Sequence, residues 1–190
     1  LHTDYEALAA KQIEFDSAMR GSWIKVTTPA GTAIQFQIGD RQVTKQDGNA
    51  SLNHMSTART LIDREVELPA GAIRVAPIEE TVSGTIAFPD SEWGGNLVKG
   101  LVMKFENGKV VDVQATENIE SVQQEIESAG EAGKSFREFA LGFNPMLAIP
   151  EDRSWIPYYG YGGGVVRLSL GDNSELGGNV GGGYVRWKQI

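Results

Sequence analysis

Between Trp23 and Ala115 the chain is cut into short runs of alternating apolar and β-branched residues, each closed by a tight turn. Trp23–Thr28 alternates, Pro29-Ala30-Gly31 turns, and Thr32–Ile38 alternates again, with Ile34, Phe36 and Ile38 on one face. Gly39-Asp40 closes that unit. Glu65–Leu68 and Ile73–Ala76 flank a second turn, Pro69-Ala70-Gly71, and Thr81–Phe88 and Leu97–Phe105 read as further strands. Glu106-Asn107-Gly108-Lys109 signals a hairpin, because Asn-Gly adopts the positive φ that such a turn requires; Val110–Ala115 completes it. Strands joined by turns this short pair antiparallel, so the pattern points to mainly antiparallel β, with a barrel-like sheet as the expectation.

Two segments break the period of two. Residues 3–19 place Tyr5, Leu8, Phe15 and Met19 on one helical face, with Thr3 and Glu6 spaced as a capping box and Gly21 as a stop. Residues 117–130 do the same with Ile119, Val122 and Ile126, leaving Glu120, Glu125 and Glu127 exposed. Residues 44–63 are polar and loop-like, with room for a short helix. Glycines crowd the end of the chain, but Val165–Leu170 and Tyr184–Trp187 argue for ordered strands between them. No repeat is evident. The expectation is an α+β fold with two helices. Its 190 residues form one domain, a helix over 1–20 and a β-rich body over 21–190.

Composition narrows the function. The net charge of −8, with no Lys/Arg run, disfavours nucleic acid and anionic membranes as partners. No apolar run reaches the roughly 20 residues of a membrane span. No basic, then apolar, leader is visible, so a cytoplasmic location is expected. The absence of cysteine excludes disulfides, thiolate metal sites and a Cys nucleophile. His54 lies in a polar stretch and reads as surface. Gly160-Tyr161-Gly162-Gly163-Gly164 lacks the Lys-Ser/Thr and the helix of a phosphate loop. Glu79-Glu80, read as strand, would point to opposite faces and reads as an exposed edge.

Four segments together resemble the metal-binding half of the aminopeptidase T family, the thermophilic metalloaminopeptidases. Pro29-Ala30-Gly31-Thr32 through Asp40-Arg41 is similar to that family's T-P-x-G-T hairpin. Leu68-Pro69-Ala70-Gly71-Ala72 through Ala76-Pro77, then Val82-Ser83-Gly84-Thr85, is similar to its L-P-x-G-E…A-P segment and the strand after it. Arg137-Glu138 through Gly142-Phe143-Asn144-Pro145 is similar to its G-E…G-x-N-P segment. Gly164-Val165-Val166-Arg167 through Gly171-Asp172-Asn173 and Gly177-Gly178-Asn179 is similar to its G-x-x-H…L-G-x-N…G-G run. The resemblance covers roughly residues 23–190 and rests on the order and spacing of these segments.

The resemblance implies a site in which two glutamates, two histidines and an aspartate hold a pair of divalent metals, and a protein that forms a homodimer. In this sequence those positions read Ala72, Glu138, Arg167, Arg186 and Lys188. Only Glu138 keeps a ligand type. Arg offers donors and no lone pair, and Lys ligates only when deprotonated. The implied site is therefore a degenerate metal site, Glu138 with Arg167, Arg186 and Lys188, with no cofactor and no metal. Two outcomes stay open for that cluster: a buried ion-pair network, or a grip on a small anionic ligand or peptide terminus. The competing reading is an active amide hydrolase with a hard divalent metal on Glu138 together with Glu79, Glu80 or Asp172.

Overall fold

The computed structural model describes residues 3–59, 64, 66, 68–147 and 161–190. The strand expected at 65–68 and Gly160 fall largely outside them. Helix α1, Tyr5–Met19, opens the fold. Its cap is Asp4, whose carboxylate accepts from the Ala7 N–H at 3.0 Å, so the expected capping box at Thr3 gives way to a cap one residue later. Leu8, Gln12 and Met19 form its buried stripe; Tyr5 is exposed.

Two five-stranded antiparallel sheets follow. The first joins β1 (Ile24–Thr27), β2 (Ala33–Phe36), β5 (Ser83–Ala87), β8 (Val102–Glu106) and β9 (Lys109–Gln114), in that order. The second runs β12 (Tyr184–Gln189), β11 (Val166–Gly171), β10 (Phe136–Gly142), β4 (Ala72–Val75) and β3 (Thr44–Lys45). A small hairpin, β6 (Ser91–Trp93) with β7 (Asn96–Val98), stands apart from both. The strand expected over 97–105 is thus two strands in different sheets, split where Gly100 takes φ 61°. A short helix, α2 (Leu52–Thr57), carries His54, and α3 (Ile119–Ser128) buries Val122 and Ile126.

The core lies between the sheets. Phe36 of β2 meets Phe139 of β10 at 5.3 Å between ring centres, and Phe105 of β8 meets Phe136 at 5.6 Å. Ile34, Ile73, Val75, Ile86, Met103 and Leu168 fill the same layer. Truncating a ring as enclosed as Phe36 to Ala costs about 3–5 kcal/mol. The sheets meet at one corner, where the Phe136 N–H donates to the Gly108 carbonyl at 2.8 Å. No closed barrel forms among the described residues, because the other edges stay apart. Asn107 (φ 50°) and Gly108 (φ 76°) supply the predicted hairpin turn at that corner.

Candidate functional site

The candidate site is the face of the second sheet that turns away from the core. Strand alternation sets its membership. Arg74 of β4 and Arg167 of β11 both lie opposite Ala140 of β10 in register, and Glu138 lies opposite Ser169. Phe139, Val75 and Leu168 occupy the core side of the same strands. The Ala72, Glu138 and Arg167 positions therefore share one face.

Glu138 is the anchor. Its side chain is 2% exposed, and its Oε2 accepts from Arg74 Nε at 3.0 Å and from the terminal Arg74 nitrogen at 2.7 Å. Arg74 also approaches Glu175 at 3.5 Å, and Glu175 in turn pairs with Arg137. Arg137 stacks on Tyr184 at 4.9 Å and donates to the Asp172 carbonyl. Strict alternation would send Arg137 and Glu138 to opposite faces. A β-bulge between Phe136 and Glu138 makes Arg137 the extra residue, so Arg137 reaches the loop after β11 while Glu138 stays on Arg74.

That loop, residues 172–183, carries a second network. Glu79 accepts from Arg41 at 2.7 Å, from the Asn173 amide at 3.0 Å and from the Asn179 N–H at 2.7 Å. Burial alone would raise the Glu79 carboxyl; the Asn179 and Asn173 hydrogen bonds and the Arg41 charge outweigh it and hold it below the ordinary carboxylate value. Glu79 thus sits in a 3-10 turn, Glu79–Thr81, as a partly buried acceptor and not on an exposed strand edge. Asp172 is also held low, chiefly by the Ser174 hydroxyl and N–H and by the Gly182 N–H.

The expected cluster is divided. Arg167 is buried on the same face as Glu138, with its guanidinium 5.2 Å over the Tyr161 ring. Lys188 lies opposite Leu168 and so on the core side; its ammonium stands 4.2 Å over Trp93 and donates to the Glu92 carbonyl at 2.6 Å. Burial pushes that ammonium down, against the pull of Glu125. Arg186 is exposed and lines an open cleft beside α3. A register shift between Leu168 and Leu170 accounts for the division: it adds a residue to β12 and reverses which side chains face the core. Among the described residues Glu138 pairs with Arg74, a cation outside the expected set, while Lys188 and Arg186 lie elsewhere. One signal for it was present, because Arg74 follows the Ala72 position by two residues on one strand.

This donor set does not fit a pair of divalent cations. Ala72 has no ligating atom, the guanidinium groups of Arg74 and Arg167 have no lone pair, and Glu138 is engaged by Arg74. Among the described residues no three His, Cys, Asp or Glu side chains are grouped to hold a metal ion, and Glu79, Glu80 and Asp172 do not converge on Glu138.

Fold and site together define an α+β scaffold of antiparallel sheets that carries a buried, arginine-rich polar face. The pattern of the thermophilic metalloprotease family (M29) matches residues 32–149, and the chain belongs to that family. Two solved structures are similar in fold. Wild-type AmpT from Thermus thermophilus is 17% identical, with a TM-score of 0.62 over 98% of this chain and 49% of its own. The 2,5-dihydroxypyridine dioxygenase from Pseudomonas putida KT2440 is 13% identical, with a TM-score of 0.69 over 98% of this chain and 54% of its own. The chain thus spans about half the length of either. No curated protein matches it. No helix among the described residues is long and apolar enough to cross a membrane.

Proposed function

We propose that this chain is a non-catalytic, metal-less member of the M29 family whose degenerate metal site is held together by ion pairs and receives a small anionic ligand or a peptide terminus. The observation that carries the reading is the Arg74–Glu138 pair: the one acid retained from the implied ligand set is buried and engaged by a guanidinium. An arginine in that place supplies fixed positive charge where the family pattern implies metal, and needs no cation to do so. Arg167 on the same face adds to it. The same reading makes the protein cytoplasmic and homodimeric in solution, and a monomer mass by light scattering would remove the second of these.

The deciding experiment is metal content of the purified protein by mass spectrometry, with thermal scans in Zn, Co, Mn and a chelator. The expected result is no stoichiometric metal and no shift of the transition. Near-stoichiometric metal with chelator-sensitive stability refutes the proposal and makes the chain a hydrolase candidate.

A further inference from the structure

The fold carries a cleft that the polar sheet face does not use. It has a volume of about 410 Å³ and opens beside the turn that follows β2. Two arginines line it, Arg41 and Arg59, in a chain with only 17 basic residues and a net charge of −8. We propose that this cleft binds a small organic monoanion, a carboxylate on a short apolar body.

The construction of Arg41 supports this. Its guanidinium is tied to Glu79 at 2.7 Å and to the Gly177 carbonyl, so its direction is fixed before any ligand arrives. Its backbone is fixed as well: Arg20 donates to the Gly39 carbonyl at 2.9 Å and to the Arg41 carbonyl at 2.7 Å, and the Arg41 N–H closes the turn onto Ile38 at 2.9 Å. Two of the five N–H donors that a guanidinium offers are thereby committed, and the others are left for an anion. A pre-oriented arginine loses little freedom on binding, which favours affinity. Gln42 adds an amide donor to the same cleft.

The remaining lining selects among anions. Ile78 and the buried Ile38 both line the cleft and give hydrocarbon an apolar surface to lie on. Asp40 in the lining is a like charge for any anion, and its repulsion grows with ligand charge. A monocarboxylate satisfies both conditions; a phosphate, which carries more than one negative charge on average near neutral pH and has no apolar body, satisfies neither as well.

Isothermal titration of the whole chain with valerate, and separately with inorganic phosphate, tests the assignment. Valerate should bind saturably and more tightly than phosphate. Replacing the exposed arginine, Arg59→Gln, should weaken valerate about tenfold, the loss expected for one hydrogen bond to a charged group. Arg41→Lys should weaken it as well, and Lys99→Gln, outside the cleft and paired with Glu117 on the surface, should leave it unchanged. No saturable valerate heat overturns the proposal. So does equal affinity in the wild type and Arg59→Gln, a loss on Lys99→Gln, or tighter binding of phosphate. None of these outcomes bears on the metal content of the Glu138 face, so the two proposals fail separately.

Discussion

Replacing Arg74 with methionine keeps the length of the aliphatic stem and removes the charge that faces Glu138. The carboxylate left behind is 2% exposed and loses both hydrogen bonds to its Oε2, at 3.0 and 2.7 Å. Removing one partner of a buried pair costs about 3–5 kcal/mol, because the surviving charge is uncompensated. The Arg74 side chain is itself only 12% exposed, so solvent screening reduces this figure little. The further contact to Glu175 at 3.5 Å belongs to a carboxylate that is 42% exposed and adds at most about 0.5 kcal/mol. For a chain of this length each kcal/mol moves the midpoint by about 2–4 °C, so Arg74→Met should lower Tm by roughly 6–20 °C. The double variant Arg74→Met/Glu138→Gln should recover much of that loss, since neither member of the pair is then left as an uncompensated charge. Urea denaturation of the wild type, both single variants and the double variant gives the coupling energy directly. A loss below about 1 kcal/mol for Arg74→Met, or a double variant no better than the single, would refute the claim that this pair anchors the site.

Other outcomes can be read from the same structure. Glu79 has a folded pKa below its unfolded one, so its contribution is fully present above the ordinary carboxylate range and is lost as pH falls through the folded value. Urea midpoints measured from neutral pH into acid should fall, and Glu79→Gln should flatten that acid limb; an unchanged slope would dismiss the linkage. Gly178 lies against the Asn173 amide, which is fully buried. Gly178→Ala should cost about 1–3 kcal/mol by overpacking, measured by denaturation, and a neutral result would mean that the loop yields there.

What could be read in advance divides along physical lines. The core positions Ile34, Phe36 and Ile38 follow from local alternation, and the Asn107-Gly108 turn from backbone preference, so both are visible in short windows of sequence. The helix ending near Ser128 is equally local, although Glu125 turns out half-buried beside Lys188. The pairing of Arg74 with Glu138 spans 64 positions and depends on register, which no local window contains. The two register shifts in the second sheet were invisible for the same reason, and they decide which side Arg137 and Lys188 face. Glu138 and Arg167 could be placed on one face because no such shift lies between Glu138 and Ala140.

The loop from 172 to 183 has a consequence for exchange with solvent. Its Asn179, Val180 and Gly182 N–H groups donate to Glu79, Asn173 and Asp172 side chains, and its Ser174 N–H donates to Asp172 as well. These amides are therefore held by acceptors that the chain brings from elsewhere or from its own bends, with no strand partner involved. In deuterium uptake such a segment behaves like part of the sheet it borders and opens as one unit when an acceptor is lost. Neutralising Glu79 would then be felt not as a local fray at Asn179 but as a common quickening of exchange along the whole loop.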